Sequence, residues 1–214
     1  MLLCVWLVAC GRIEAPSQQL ALRRFTVAEG LPAPFCAVLI QDSRGFLWLG
    51  SPEGLTTFDG TAFTTFTKAH GFDNAPPWIA VEDSNGTLLV GGRRGLTRVT
   101  RTRRFPLQLS FSEVQTAGGT PIGEPTAMVN TPAGTALVAT RQHIFEVHGS
   151  RVNRVLLAGD AGGGHVHESY FRRGSLPDGA AEDASTILKL AFDPWGRLVL
   201  ATSNSLYLGE RIGS

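Results

Sequence analysis

The sequence predicts an all-β fold made of about four successive four-stranded antiparallel sheets. Three observations lead there. One pattern recurs four times along the 214 residues, at 38–60, 79–99, 128–147 and 190–208. Each copy is an apolar strand, a tight turn ending in glycine, a second apolar strand and a small residue. The turn glycines Gly45, Gly86, Gly134 and Gly196 are spaced by 41, 48 and 62 residues, and periods near 40–50 residues are those of blade-type repeats. In addition, no segment carries a sustained helical period, and Asp-Gly or similar turn pairs punctuate the apolar runs.

The elements follow in chain order. Residues 1–24 read as a leader and linker. The first ten, MLLCVWLVAC, are apolar and carry no charged side chain, as in the core of an export signal and too short to span a bilayer securely. Residues 11–24 are a polar linker. Glu29-Gly30-Leu31-Pro32 is a turn signal. Val38 to Ile40 forms a short strand, and Asp42-Ser43-Arg44-Gly45 a hairpin turn. There the aspartate side chain caps the turn and glycine supplies the positive φ that closes it. Phe46 to Leu49 is a continuous apolar run with Trp48 inside it, as in a strand buried on both faces. Gly50 permits close approach of backbone where sheets pack. Glu53-Gly54 starts the next turn, and Asp59-Gly60 sits between two Thr/Phe runs as a strong hairpin signal.

Four strands within about thirty residues, joined by tight turns, make one up-and-down sheet of the kind that builds a β-propeller blade. The second copy keeps the register. Asp42 to Asp83, Gly45 to Gly86, Gly50 to Gly91 and Gly54 to Gly95 are all 41 residues apart. The third and fourth copies drift. Asn130 stands in for the turn aspartate, Ala139 and Ala201 replace the glycine after the second strand, and Asp193 and Gly196 keep the last turn. The expected blades are 25–68, 69–105, 106–150 and 151–214, with a long Gly-rich polar stretch at 158–185. They form either an open arc, part of an incomplete ring, or a compact ring of four or five blades.

Charge excludes one class of partner. Nineteen Lys plus Arg against 18 Asp plus Glu give +1, without the basic excess of a general nucleic-acid binder. Seventeen of the nineteen are arginine. With Cys4 and Cys10 in the leader, Cys36 is left alone, so no internal disulfide framework is expected.

At 31–60 and again at 71–99 the text resembles the two-component regulator propeller repeat. The residues that carry the resemblance are Gly30-Leu31, Asp42, Gly45, Leu47-Trp48-Leu49-Gly50, Gly54-Leu55 and Phe58-Asp59-Gly60, followed by the link Phe63 to Phe66 and His70-Gly71-Phe72. The second copy has Leu89 where the repeat has tryptophan. The resemblance implies a bacterial sensor region outside the cytoplasm, in the periplasm or anchored to a membrane. It would be one piece of a larger receptor that recognises a small molecule or glycan and passes the signal to a downstream domain or partner protein. Leu7 to Gly11 resembles a lipobox, which implies lipidation at Cys10. Two other functions stay open: a secreted or lipid-anchored binding scaffold, and a propeller enzyme acting on carbohydrate.

Candidate sites are sparse, and no cofactor, metal site or catalytic group is expected. Trp78 follows Pro76-Pro77 at a strand entrance, where its ring can stack on a sugar. Arg93 and Arg94 open a basic run that continues through Arg98, Arg101, Arg103 and Arg104. It can face an anionic ligand or guard a sheet edge. Trp48, mid-strand, is expected in the core. His165 and His167, with Glu168 and Asp160 nearby, lack the further ligands of a metal site, and Gly159 to Gly164 lacks the Gly-Lys-Ser/Thr ending of a phosphate loop. His167, Tyr170 and Arg172 are the only group an enzyme reading can call on.

Overall fold

The structure, a computed structural model, describes residues 22–101, 108–141, 143–155, 187–202 and 206–208. Cys10, His165, His167, Tyr170 and Arg172 lie outside them, as does the Gly-rich stretch.

Four antiparallel sheets follow one another along the chain. The first is β1 (Val38–Gln41), β2 (Leu47–Ser51), β3 (Gly54–Phe58) and β4 (Phe63–Phe66). The second is β5 (Pro77–Glu82), β6 (Leu88–Gly92), β7 (Gly95–Arg101) and β8 (Leu109–Glu113). The third is β9 (Ala127–Asn130), β10 (Ala136–Ala139), β11 (Ile144–His148) and β12 (Arg151–Val155). The fourth contains β13 (Ile187–Phe192), β14 (Leu198–Thr202) and β15 (Leu206–Leu208), three strands among the described residues rather than four. In every sheet the strands lie in chain order.

Two expected boundaries move. The second sheet runs on to Glu113 and the third to Val155, past the limits of 105 and 150. Both added strands are outermost and exposed on alternate or most positions, so they lack the apolar run that marks the inner strands.

The sheets pack face to face through their first strands. β1 lies against β5, β5 against β9, and β9 against β13. No comparable contact returns from β13 to β1 among the described residues, so these strands form an arc. Strand alternation assigns each side chain to one interface. Leu88 and Val90 point back at Trp48 and Leu55. Leu89 points forward at Ala136 and Val138, while Leu137 and Ile144 point forward at Leu198 and Leu200. Three apolar clusters result, one per interface, and second and third strands are buried on both faces for that reason. Each fully buried leucine or valine contributes about 1.5–3 kcal/mol relative to exposure, and no sheet obtains that alone.

The turn chemistry is as expected in three copies. Asp42 Oδ1 accepts from the N–H groups of Arg44 and Phe46, both at 3.0 Å. Asp83 holds Asn85 and Thr87 the same way at 2.9 Å, and Asp193 holds Trp195 and Arg197 at 3.0 and 2.8 Å. The third copy departs from expectation. Thr131, not Asn130, occupies the capping position and accepts from the Thr135 N–H at 3.1 Å. Asn130 is one place earlier and donates from Nδ2 to the Glu82 carbonyl of the second sheet at 2.6 Å. It stitches two sheets instead of closing a turn.

Two glycine positions show why the repeat keeps them. Gly54 and Gly95 have φ of 143° and 101°, and a Cβ on either would sit 2.2 Å from a backbone carbonyl, that of Phe66 or Ile122. Gly50 is a close-approach site of the expected kind: a Cβ there would lie 2.9 Å from the Pro77 carbonyl of the next sheet.

Candidate functional site at the connector end of the sheets

The stack has two ends of different character. One carries the turns capped by Asp42, Asp83, Thr131 and Asp193. Here the sheets are tied together: Ser43 donates its N–H and hydroxyl to the Glu82 carboxylate at 2.6 and 2.9 Å, and the Ser84 hydroxyl donates to the Gly134 carbonyl at 2.6 Å. The other end carries the turns between second and third strands and the long connectors between sheets. Loops of this kind on a rigid scaffold are where binding groups concentrate.

Trp78, Arg93 and Arg94 all lie at the connector end. Pro77 pairs with Gly92 in the sheet register, which sets Trp78 beside the turn holding the two arginines. Trp78 is half-buried, and its indole N–H donates to the Pro125 carbonyl of the next connector at 3.0 Å. Its polar handle is therefore spent on joining neighbouring sheets. Trp78→Phe is expected to lower stability by about 1 kcal/mol, the value of one hydrogen bond, with little change in fold. Urea unfolding checks this, and an unchanged midpoint would mean that the bond contributes nothing. Arg93 is exposed, and Arg94 pairs with Asp73 at 2.6 Å.

The remaining arginines of the basic run do not form a common patch. Arg101 crosses to the first sheet, where it pairs with Asp42 and lies over the rings of Phe46 and Trp48, its guanidinium carbon 5.0 Å from each ring centre. Arg98 reaches the Gly149 carbonyl of the third sheet; burial pulls its guanidinium below the ordinary value, against the attraction of Asp83. Neither a ligand face nor a guarded edge describes them, because stacked sheets bring both residues against acceptors on neighbouring sheets. Trp48 is fully buried, as expected, and donates its indole N–H to Asp42 at 2.8 Å. Cys36 is half-buried and free, and burial raises its thiol pKa.

Two clefts open at the connector end, at equivalent places in the second and third sheets. The first, of about 250 Å³, lies between Asp73, Asn74, Arg94, Thr97 and Glu113. Asn74 plugs its floor: Nδ2 donates to the Gly95 carbonyl at 2.9 Å and Oδ1 accepts from the Arg94 N–H at 2.9 Å. The second, of about 790 Å³, is bordered by Thr116, Thr120, Glu124, Thr140, Arg141, His143, Phe145 and Arg154. The 48-residue offset places Ile122 where Asn74 was, and Pro121 where Asp73 was. Arg154 pairs with Phe145 as Glu113 pairs with Thr97, so an arginine takes the place of a glutamate.

Comparison with known proteins comes from structure alone. No family model matches the chain, and no curated protein matches it. Among solved structures, the chain is similar to a protein described as the extracellular domain of a hybrid two component system from B. thetaiotaomicron. The TM-score is 0.61 and the identity 17%, over 91% of this chain and 24% of that one. It is also similar to virginiamycin B lyase from Staphylococcus aureus, with a TM-score of 0.54 and 14% identity, over 86% of this chain and 58% of that one. A third is PorZ, a surface component of the type-IX secretion system of Porphyromonas gingivalis, with a TM-score of 0.55 and 18% identity, over 79% of this chain and 25% of that one.

The sheets are β-propeller blades. The chain spans about a quarter of the length of the first of these structures. In propeller terms β1, β5, β9 and β13 are the inner strands, and the two clefts lie on the connector face, on the second and third blades. Among the described residues, no group of three or more His, Cys, Asp or Glu side chains is placed to hold a metal ion. No described helix is long and apolar enough to cross a membrane.

The candidate residues that sequence reasoning missed are Arg141, His143, Glu124 and Arg154. A signal for them existed. Aligning copies two and three at an offset of 48 exposes the exchange of Asp73 for proline. The matching of Glu113 with Arg154 needs the outer-strand register, which lies beyond a connector of changed length.

Proposed function

We propose that this chain is the ligand-recognising blade region of a receptor of the two-component type, acting outside the cytoplasm. The observation that carries the reading is the likeness to an extracellular hybrid two-component domain over 91% of this chain. It is joined by the repeat residues Asp42, Gly45, Trp48, Gly50 and Gly54, which occupy the turn, core and close-approach positions that the propeller repeat requires. The apolar leader and Cys10 support export, with lipid attachment as the anchor. The ligand is a small molecule or glycan held at the connector face, and its binding biases two packings of the blades that a downstream domain or partner reads.

The purified chain, titrated with a panel of neutral and acidic oligosaccharides, tests this. One ligand class is expected to raise the unfolding midpoint, by mass action on the folded state, and to be recovered chemically unchanged. Conversion of the added sugar to product would overturn the reading in favour of an enzyme. Absence of any binder would favour a scaffold.

A further inference from the structure

We infer that the cleft on the third blade is a binding site for a carboxylated sugar, held at its acid group by Arg141 and Arg154. The inference rests on the sensory reading above and narrows its ligand.

The argument is a comparison of two equivalent places in one molecule. On the second blade the cleft is small and filled from within. Asn74 satisfies the backbone on its floor, and the Arg94 charge is met by Asp73 at 2.6 Å. On the third blade Pro121 stands where Asp73 would be, and Ile122 is turned into the apolar interface, fully buried. Both the plug and its carboxylate are gone, and the cavity grows from about 250 to about 790 Å³. That is within the range of small-molecule sites, roughly 300–1,000 Å³.

The sign of the lining changes as well. Asp73, Glu113 and Arg94 leave the second-blade cleft with one net negative charge. Glu124, Arg141 and Arg154 leave the third-blade cleft with one net positive charge, before His143 is counted. Arg141 and Arg154 come from different strands and approach the cavity from the turn and the outer edge. Two guanidinium groups converging on one cavity suit a carboxylate, which accepts paired N–H bonds from arginine. Thr116 and Thr120 add hydroxyls on the connector side, and Phe145 adds an apolar wall. An acid group, several hydroxyls and a flat apolar face together describe a sugar acid better than a bare anion or a neutral sugar.

Isothermal titration of the chain with trigalacturonate, and with maltotriose as its uncharged counterpart, tests the site. Trigalacturonate is expected to bind at least about tenfold more tightly, with affinity falling as salt is raised. Arg141→Gln and Arg154→Gln are each expected to weaken it about tenfold or more, since each removes charge-assisted bonds to the ligand. Both side chains are exposed, so the variants should unfold at the wild-type urea midpoint. Arg151→Gln removes the same charge from an exposed position on the same strand, outside the cleft lining, and should bind like wild type. Equal weakening by all three substitutions would reduce the effect to net charge and overturn the site. Loss of binding in Arg93→Gln or Arg94→Gln, with Arg141→Gln unaffected, would move the ligand to the second blade. That outcome, or binding of maltotriose alone, would overturn this site and keep the sensory reading. If neither sugar binds, the site is overturned, and the reading then depends on the wider panel.

Discussion

Asp42→Ala is expected to destabilise the protein by about 3–5 kcal/mol, the range for removing one partner of a buried ion pair. The aspartate serves two structures at once. Oδ1 closes the first turn through Arg44 and Phe46, and Oδ2 accepts from the Trp48 indole and from Arg101. The Asp42 and Arg101 side chains are 2% and 10% exposed, so alanine would leave a guanidinium and an indole N–H without an acceptor in a dry interface. Asp42→Asn keeps an oxygen for the turn and loses only the charge, so it should cost less. Urea unfolding of both, combined with Arg101→Met in a double-mutant cycle, separates turn from interface. A loss below about 1 kcal/mol for Asp42→Ala would show that the pair does not hold the blades together.

The same group sets an acid limit. Burial raises the Asp42 pKa, but the Trp48 N–H, the Arg101 charge and the turn N–H groups outweigh it and hold the carboxyl below its ordinary value. A carboxyl depressed in the folded state adds stability that is fully present above its unfolded pKa near 4 and is lost as pH falls through the folded value. Acid unfolding should therefore be less steep below pH 4 in Asp42→Asn than in wild type.

Gly95→Ala carries the second large effect, about 2–5 kcal/mol. Two costs combine. An L-residue at φ 101° is strained by roughly 1–3 kcal/mol, and its Cβ would stand 2.2 Å from the Ile122 carbonyl, an overlap with backbone that no rotamer relieves. Overpacking of this kind costs about 1–3 kcal/mol. Gly60 provides the control. Its φ is 98°, yet a Cβ there would meet nothing within 4 Å. Gly60→Ala should show the conformational cost alone, and the difference between the two variants isolates the clash. Equal losses would mean that the connector at Ile122 yields freely. Gly54→Ala, with its Cβ 2.2 Å from the Phe66 carbonyl, should behave like Gly95→Ala.

These two experiments probe different depths of the same fold. The glycines act within one repeat and recur at a spacing of 41 residues, which is why they were visible. Asp42 was visible as a turn cap, but its bond to Arg101 spans 59 residues and joins two sheets. Nothing in the local text around either residue announces the other.

The sequence by itself determined the sheet-by-sheet organisation, the hairpin turns of the first two copies and the burial of Trp48. Each of these follows from chain neighbours: period-two apolar runs, a capping side chain two to four residues from its N–H groups, a glycine where φ is positive. Only the tertiary structure decided the outer strands β8 and β12, the role of Asn130, the dispersal of the arginine run and the pairing of Arg154 with the place of Glu113. Those depend on which face of a sheet meets its neighbour and on connectors of unequal length. The physical reason is that hydrogen-bonded turns are specified within a few residues, whereas the partner of a charge crossing an interface is chosen by the stacking of whole sheets.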